Sequence, residues 1–176
     1  MTALLTLQNM VDLRAYSLSI NFNKEVKQKV LDSQEFDLRP FMGESFFLAL
    51  VAAFNAGPLV TPWVELFDEF EYTYDGNQYE NPGIKRLLAQ YTDSRYIAEG
   101  GATSTAYGNV IKTHGHSTPI DSKLSGRKSA KSRSGATALE DRIILYLTRN
   151  KSTYPLWRCN SNQKRTTAGF VINAIG

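Results

Sequence analysis

The sequence predicts a mainly α-helical protein: a bundle of about four to six helices, one small β-hairpin near residues 69–80, and an extended C-terminal arm. Three observations carry this expectation. Apolar residues recur at three- and four-residue spacing through most of the chain. The period drops to two only around the turn signal Asp75-Gly76. After Trp157 the chain becomes polar and basic, then carries the short apolar run Phe170, Val171, Ile172 and Ile175. The expected division is one helical domain over 1–157, with the hairpin inserted at 69–80, and the arm over 158–176. At 176 residues, with 42% hydrophobic and 11% aromatic content, the chain can bury an ordinary core without metal or disulfide staples.

Each element has a local reason. Thr6 is placed to cap a short helix over 7–15, and Val26, Val30 and Leu31 share a stripe in a helix over 24–36. Gly43 precedes a strongly apolar helix in which Phe47, Leu50, Val51 and Phe54 form one face. Phe46, Leu48 and Ala49 fill the others, which predicts enclosure on all sides. That helix should stop at Gly57-Pro58. Thr61-Pro62 reads as a cap followed by proline in the first helical position, starting a short helix through Trp63, Val64 and Leu66. Alternating Phe70, Tyr72 and Tyr74 give the hairpin. Asn81-Pro82 repeats the cap signature, and Ile84, Leu87, Leu88 and Tyr91 mark a helix ending at Glu99 before Gly100-Gly101. Ala136, Leu139, Ile143, Tyr146 and Leu147 mark the last helix, over 136–150. Its extension back to Ser122 or Ser125 stays open, because Gly126 and Gly135 each cost about 1 kcal/mol relative to alanine.

The formal net charge of +3 conceals segregation. Residues 65–80 hold Glu65, Asp68, Glu69, Glu71, Asp75 and Glu80 with no lysine or arginine. Residues 112–133 hold Lys112, Lys123, Arg127, Lys128, Lys131 and Arg133 against one acid, Asp121. An assembly can use such opposed blocks against a charged neighbour or phosphate; two solvated segments are the alternative. Lys123, Arg127, Lys128, Lys131 and Arg133 would form a basic stripe if their segment is helical, with the intervening serines adding neutral donors to phosphate. Glu65, Asp68, Glu69, Glu71 and Asp75 are the candidate acidic interface.

No catalytic, cofactor-binding or metal site is expected. His114 and His116 point to opposite faces of an extended segment, and no other histidine exists. Cys159 sits in a polar stretch beside Arg158 without a nucleophile turn, and Gly126-Arg127-Lys128-Ser129 lacks the Gly-Lys pair of a phosphate loop. One cysteine, no signal-peptide pattern and no apolar run near 18 residues predict assembly in a reducing cytoplasm and no membrane partner.

Residues 22–50 resemble the opening of head-to-tail connector proteins of tailed bacteriophages, in which a helix leads to Asp-Leu-x-Pro-x-x-Gly, here Asp37 to Gly43, and a second apolar helix follows. The stretch 81–91 and Ser94-Arg95-Tyr96 resemble that family's next helix, and 103–112 its loop. The pattern Leu-x-x-Asn-x-x-x-Tyr-Pro-x-Trp, from Leu147 to Trp157, resembles its closing end. The likeness spans most of 5–157, is nearest to connectors of Bacteroidetes phages including the crAss-like group, and does not reach the arm. It implies a structural virion protein of the neck, assembled in the host bacterial cytoplasm. Its implied form is a homo-oligomeric ring, often of twelve copies, between portal protein and neighbouring neck or tail proteins and around the DNA channel. In such a ring the acidic hairpin and the basic stripe would lie on different surfaces, and Phe170, Val171, Ile172 and Ile175 would dock on an adjacent protein as an added strand. A sequence-independent DNA-binding protein is the alternative reading.

Overall fold

The computed structural model describes residues 2–99 and 121–158, with the backbone alone of 102–105 and 108–111. The predicted C-terminal strand, His114, His116 and Cys159 lie outside the described residues. The architecture is mainly helical with small antiparallel hairpins. Among the described residues no helix is long and apolar enough to cross a membrane.

Helix α1 (Leu7–Arg14) starts as its cap predicts: Thr6 Oγ1 accepts from the Asn9 N–H, and Asn9 Oδ1 accepts from the Thr6 N–H. The second helical stretch outruns its predicted end at 36. A wide π turn (Phe22–Val26) leads into α2 (Lys27–Ser33), and a second π turn (Gln34–Leu38) leads into α3 (Arg39–Met42). The second wide turn immediately precedes Pro40, whose ring cannot enter a regular α-helical interior and which here occupies the first turn of α3. Val26 and Val30 are fully buried, and Gln34 ties down the N-terminal segment by accepting from the Leu4 N–H at 2.7 Å and donating to the Thr2 carbonyl at 3.0 Å.

Gly43, at φ 78°, breaks the stretch and opens α4 (Glu44–Asn55). Phe46, Phe47 and Leu50 enter the core, but Leu48 is 50% exposed. The expected burial on every side is therefore corrected: α4 packs through one face. That face meets a cluster of rings: Phe46 lies 5.5 Å from Trp63, 6.0 Å from Tyr154 and 5.9 Å from Trp157. Helix α5 (Trp63–Phe67) follows, with Pro62 itself in the cap position rather than Thr61.

Strands β1 (Phe70–Tyr74) and β2 (Asn77–Asn81) pair with Tyr72 opposite Tyr79. Asp75 (φ 50°) and Gly76 (φ 74°) supply the two positive-φ residues that a tight two-residue hairpin loop needs. Helix α6 (Gly83–Glu99) buries the four predicted residues Ile84, Leu87, Leu88 and Tyr91. A second hairpin, β3 (Ala102–Thr105) with β4 (Gly108–Ile111), was not foreseen from periodicity, although its β-branched residues favour strands.

Helix α7 (Ser122–Arg149) settles the open extension: it runs unbroken for 28 residues through both glycines. Its pairing with α6 is the most extensive helix contact in the fold. Ile143, Tyr146 and Leu147 seal the C-terminal half, whereas the N-terminal half packs through Ser125, Ser132 and Ala136. Ser125 Oγ donates to the Ile97 carbonyl at 2.6 Å, and Ser129 Oγ donates to the Ser94 carbonyl at 2.9 Å. Close approach to α6 thus offsets the propensity cost of Gly126 and Gly135, a tertiary override of a local preference.

Two glycine substitutions should move stability in opposite directions. Gly83 has φ 76°, and an added Cβ would sit 2.6 Å from the Phe67 and Asp68 backbone. Gly83→Ala should cost about 2–4 kcal/mol, combining left-handed strain with overpacking. Gly126 has open space around it, so Gly126→Ala should stabilise by about 0.5–1 kcal/mol. Urea unfolding of both variants checks the signs.

Candidate functional site

The charged side chains fall into a paired interior set, a set of surface pairs, and a set without ion-pair partners among the described residues. Asp37 on the second π turn is the centre of the first, with its side chain only 4% exposed. It accepts from Arg95 Nε on α6 at 2.8 Å and from Arg133 Nη1 on α7 at 2.6 Å. The Arg95 guanidinium is roofed by Phe36 at 5.6 Å, and that of Arg133 lies over Tyr91 at 4.8 Å. Nearby, Asp93 accepts from Arg14 and from Ser132, each at 2.5 Å. Two carboxylates are thereby neutralised where three helical segments meet, which burial requires.

This arrangement corrects two expectations. Arg133 is not an outward member of the basic stripe, because its position on α7 turns the guanidinium toward Asp37 and Tyr91. The serines do not serve as free donors to phosphate either: Ser125, Ser129 and Ser132 spend their hydroxyls on α6. What remains is Lys123, Arg127 and Lys131, spaced four residues apart on the α7 face opposite the serine seam, with Lys128 on the flank. All four are exposed, and among the described residues none lies within ion-pair distance of a carboxylate. They also oppose the helix macrodipole, since the first turn of α7 holds no acid and the Asp121 side chain makes no cap hydrogen bond.

The acidic candidates are partly spent within the chain. Asp68 pairs with Lys85, Glu69 with Arg86 at 3.3 Å, and Glu80 with Arg142 at 3.0 Å and Arg86 at 3.8 Å. Glu65 is half-buried on α5, where its carbonyl accepts from Asn81 Nδ2. Glu71 and Asp75 stay exposed on the hairpin with no basic partner among the described residues. The hairpin itself is fastened to the far end of α7. Arg149 lies 3.8 Å from the Tyr79 ring centroid and 4.5 Å from that of Tyr74, and Tyr72 packs edge-on against Tyr146 at 4.9 Å. Sequence reasoning missed this three-tyrosine seat, although alternating tyrosines beside a helix-terminal arginine are its signal.

Open grooves also mark the surface of the described residues. One, of about 450 Å³, runs between Leu4, Phe54, Leu59, Val64 and Phe67, with the Asp68–Lys85 pair at its edge. Another, of about 370 Å³, lies beside Gly43 and Leu156, where Glu44 is already engaged by Arg39, which holds its carboxyl below the usual carboxylate range. Neither groove joins a nucleophile to a free base. Among the described residues no three histidine, cysteine or acidic groups gather as metal ligands.

Residues 38–167 match the family of unknown function DUF6712, and the chain belongs to that family. No curated protein and no solved structure matches the chain.

Three tyrosines of the interior should report on folding at alkaline pH. Burial pushes the Tyr16 hydroxyl up, helped by the Asp93 charge; burial and the Glu140 carboxylate do so for Tyr91; burial and the Tyr146 hydroxyl do so for Tyr154. A raised folded-state pKa keeps these protons on above about pH 10, where the unfolded chain loses them, so stability is full below that pH and falls above it. Phenolate absorbance of the nine tyrosines should therefore rise in two steps, the second coinciding with loss of helical circular dichroism. A single midpoint near 10 with the helix intact would contradict this burial.

Proposed function

We propose that this DUF6712 member is a structural, non-catalytic subunit of the head-to-tail connector of a tailed phage. It would form a homo-oligomeric ring in the virion neck, joining portal protein to neighbouring neck or tail proteins around the DNA channel. The observation that carries this reading is where the resemblance residues meet. Asp37, from the Asp-Leu-x-Pro-x-x-Gly stretch, receives Arg95 from Ser94-Arg95-Tyr96. Phe41 of the first stretch packs 6.0 Å from Trp157 of the closing pattern. Residues that look like scattered family marks thus act together as the joints of one scaffold, which supports reading the likeness as one of architecture.

The charge layout supports assembly. Arg142 and Arg149 hold the acidic hairpin at one end of α7, while Lys123 to Lys131 occupy the other. At about 1.5 Å per residue, some 17 Å or more of helix separates the stripe from the hairpin seat. That exceeds the screening length of about 8 Å at physiological salt, so the two ends do not neutralise each other within one subunit.

The unpaired stripe favours a second reading, sequence-independent binding of duplex DNA by the free protein. Electron microscopy of the purified chain, alone and with its portal and neck partners, separates the two. The connector reading expects rings with a central channel and weak DNA binding by the monomer. A protein that stays monomeric with every partner and binds duplex DNA, with log affinity falling against log salt at a slope of about −3 to −4, would overturn it.

A further inference from the structure

We propose that the exposed length of β1 and its turn, from Glu71 to Asp75, of one copy docks on the N-terminal half of α7 of a second copy, setting Glu71 and Asp75 against Arg127, Lys128 and Lys131. This inference rests on the assembly reading above and names the contact within it.

Charge complementarity selects the partner. The basic face carries four exposed side chains without a carboxylate among the described residues, and the hairpin carries two exposed carboxylates without a base among them, Asp75 at its turn and Glu71 near its open end. Within one chain the hairpin cannot reach the stripe, because Tyr72, Tyr74 and Tyr79 hold it at Arg149, the last residue of α7. The missing charge for each patch is therefore present on the same molecule but at the wrong end of a 28-residue helix. A second copy supplies it, and its own opposite end is left free for a third. Such a contact is heterologous and propagates head to tail, closing into a ring when the rotation between copies allows.

Both patches also present a large apolar side chain beside their charges. Tyr74, next to Asp75 at the turn, is 46% exposed. Leu124, three and four residues before Arg127 and Lys128, is 45% exposed. Long charged side chains rimming one aromatic and one aliphatic anchor form the usual layout of a specific contact, in which the anchors supply affinity and the rim sets orientation. Cross-strand geometry adds a reason for Glu71 to seek a partner. It sits directly opposite Glu80, and Glu80 has Arg142 and Arg86 whereas Glu71 has neither. A base from a neighbour would relieve that like-charge pair.

The test is reciprocal charge reversal in the full chain, followed by sedimentation velocity and mass photometry. Glu71→Lys with Asp75→Lys makes both ends basic; Arg127→Glu with Lys131→Glu makes both ends acidic. All four positions are exposed, so each double variant should keep the wild-type urea midpoint, which confirms its fold. Each variant alone should self-associate at least about tenfold more weakly than wild type, since like charges now face each other. An equimolar mixture should recover association, because each variant then presents to the other the sign it lacks. If wild type forms rings and both variants form them equally well, this contact is wrong and the connector reading stands. If wild type stays monomeric both alone and with portal protein, both fail. Loss of duplex-DNA binding by the acidic variant with unchanged self-association would assign the α7 face to DNA and overturn the proposal.

Discussion

Two helices can run side by side at short range only where neither carries bulk on the facing side, and α7 meets that condition with Ser125, Ser129, Ser132, Gly135 and Ala136. An ideal Cβ on Gly135 would stand 2.6 Å from Gln90 Nε2, the end of a side chain that would have to move aside. The hydroxyls are buried without penalty because α6 offers them the Ile97 and Ser94 carbonyls and the Asp93 carboxylate. Close approach then brings Arg133 within reach of Asp37, and the same carboxylate receives Arg95, so the second π turn, α6 and α7 share one buried anion. The remaining elements are placed relative to this pair: α1 through Arg14 to Asp93, and the hairpin through Arg142 and Arg149.

Seen from this seam, the modest net charge of the chain is the remainder of two kinds of pairing. Inside, carboxylates and guanidinium groups neutralise each other at Asp37 and Asp93; at the surface near α5 and α6, Asp68, Glu69 and Glu80 find Lys85, Arg86 and Arg142. Among the charges without an ion-pair partner in the described residues, Lys123, Arg127, Lys128 and Lys131 gather on the outward face of the α7 N-terminal half, and Glu71 and Asp75 sit on the hairpin at the other end, with the length of α7 between the two groups. A free monomer gains nothing from that separation, whereas a repeating assembly can use it.

Much of this was legible in the sequence, for identifiable reasons. Positions read from one strong local signal behave as expected: the Thr6 cap, the Asp75-Gly76 turn, and the Ile84, Leu87, Leu88, Tyr91 stripe each depend on neighbours within four residues. The failures concern long-range partners. Nothing near Ser125 or Gly126 announces that α6 will accept a serine-rich helix, so local propensity left the first half of α7 open. Arg133 is the exception within the basic stripe: it stands six, five and two residues from Arg127, Lys128 and Lys131, none of them the three- or four-residue spacing that shares a helix face, and it turns to Asp37, 96 residues away. Leu48 looks as apolar as its neighbours and is exposed simply because no element covers that face of α4. The acidic block could be counted in the sequence, but which of its members would be neutralised depended on where Arg86 and Arg142 came to lie.

The separation of the two charged ends depends on α7 being one continuous helix. A distance between its ends measures this directly: spin labels at Lys123 and Thr148, both exposed, on a Cys159→Ser background that removes the single native cysteine. Double electron–electron resonance should give one narrow distribution near 38 Å between the two positions, from 25 residues at about 1.5 Å each. A broad distribution, or one centred well below that length, would mean that the helix breaks at its glycines and that the two charged ends do not keep a fixed separation.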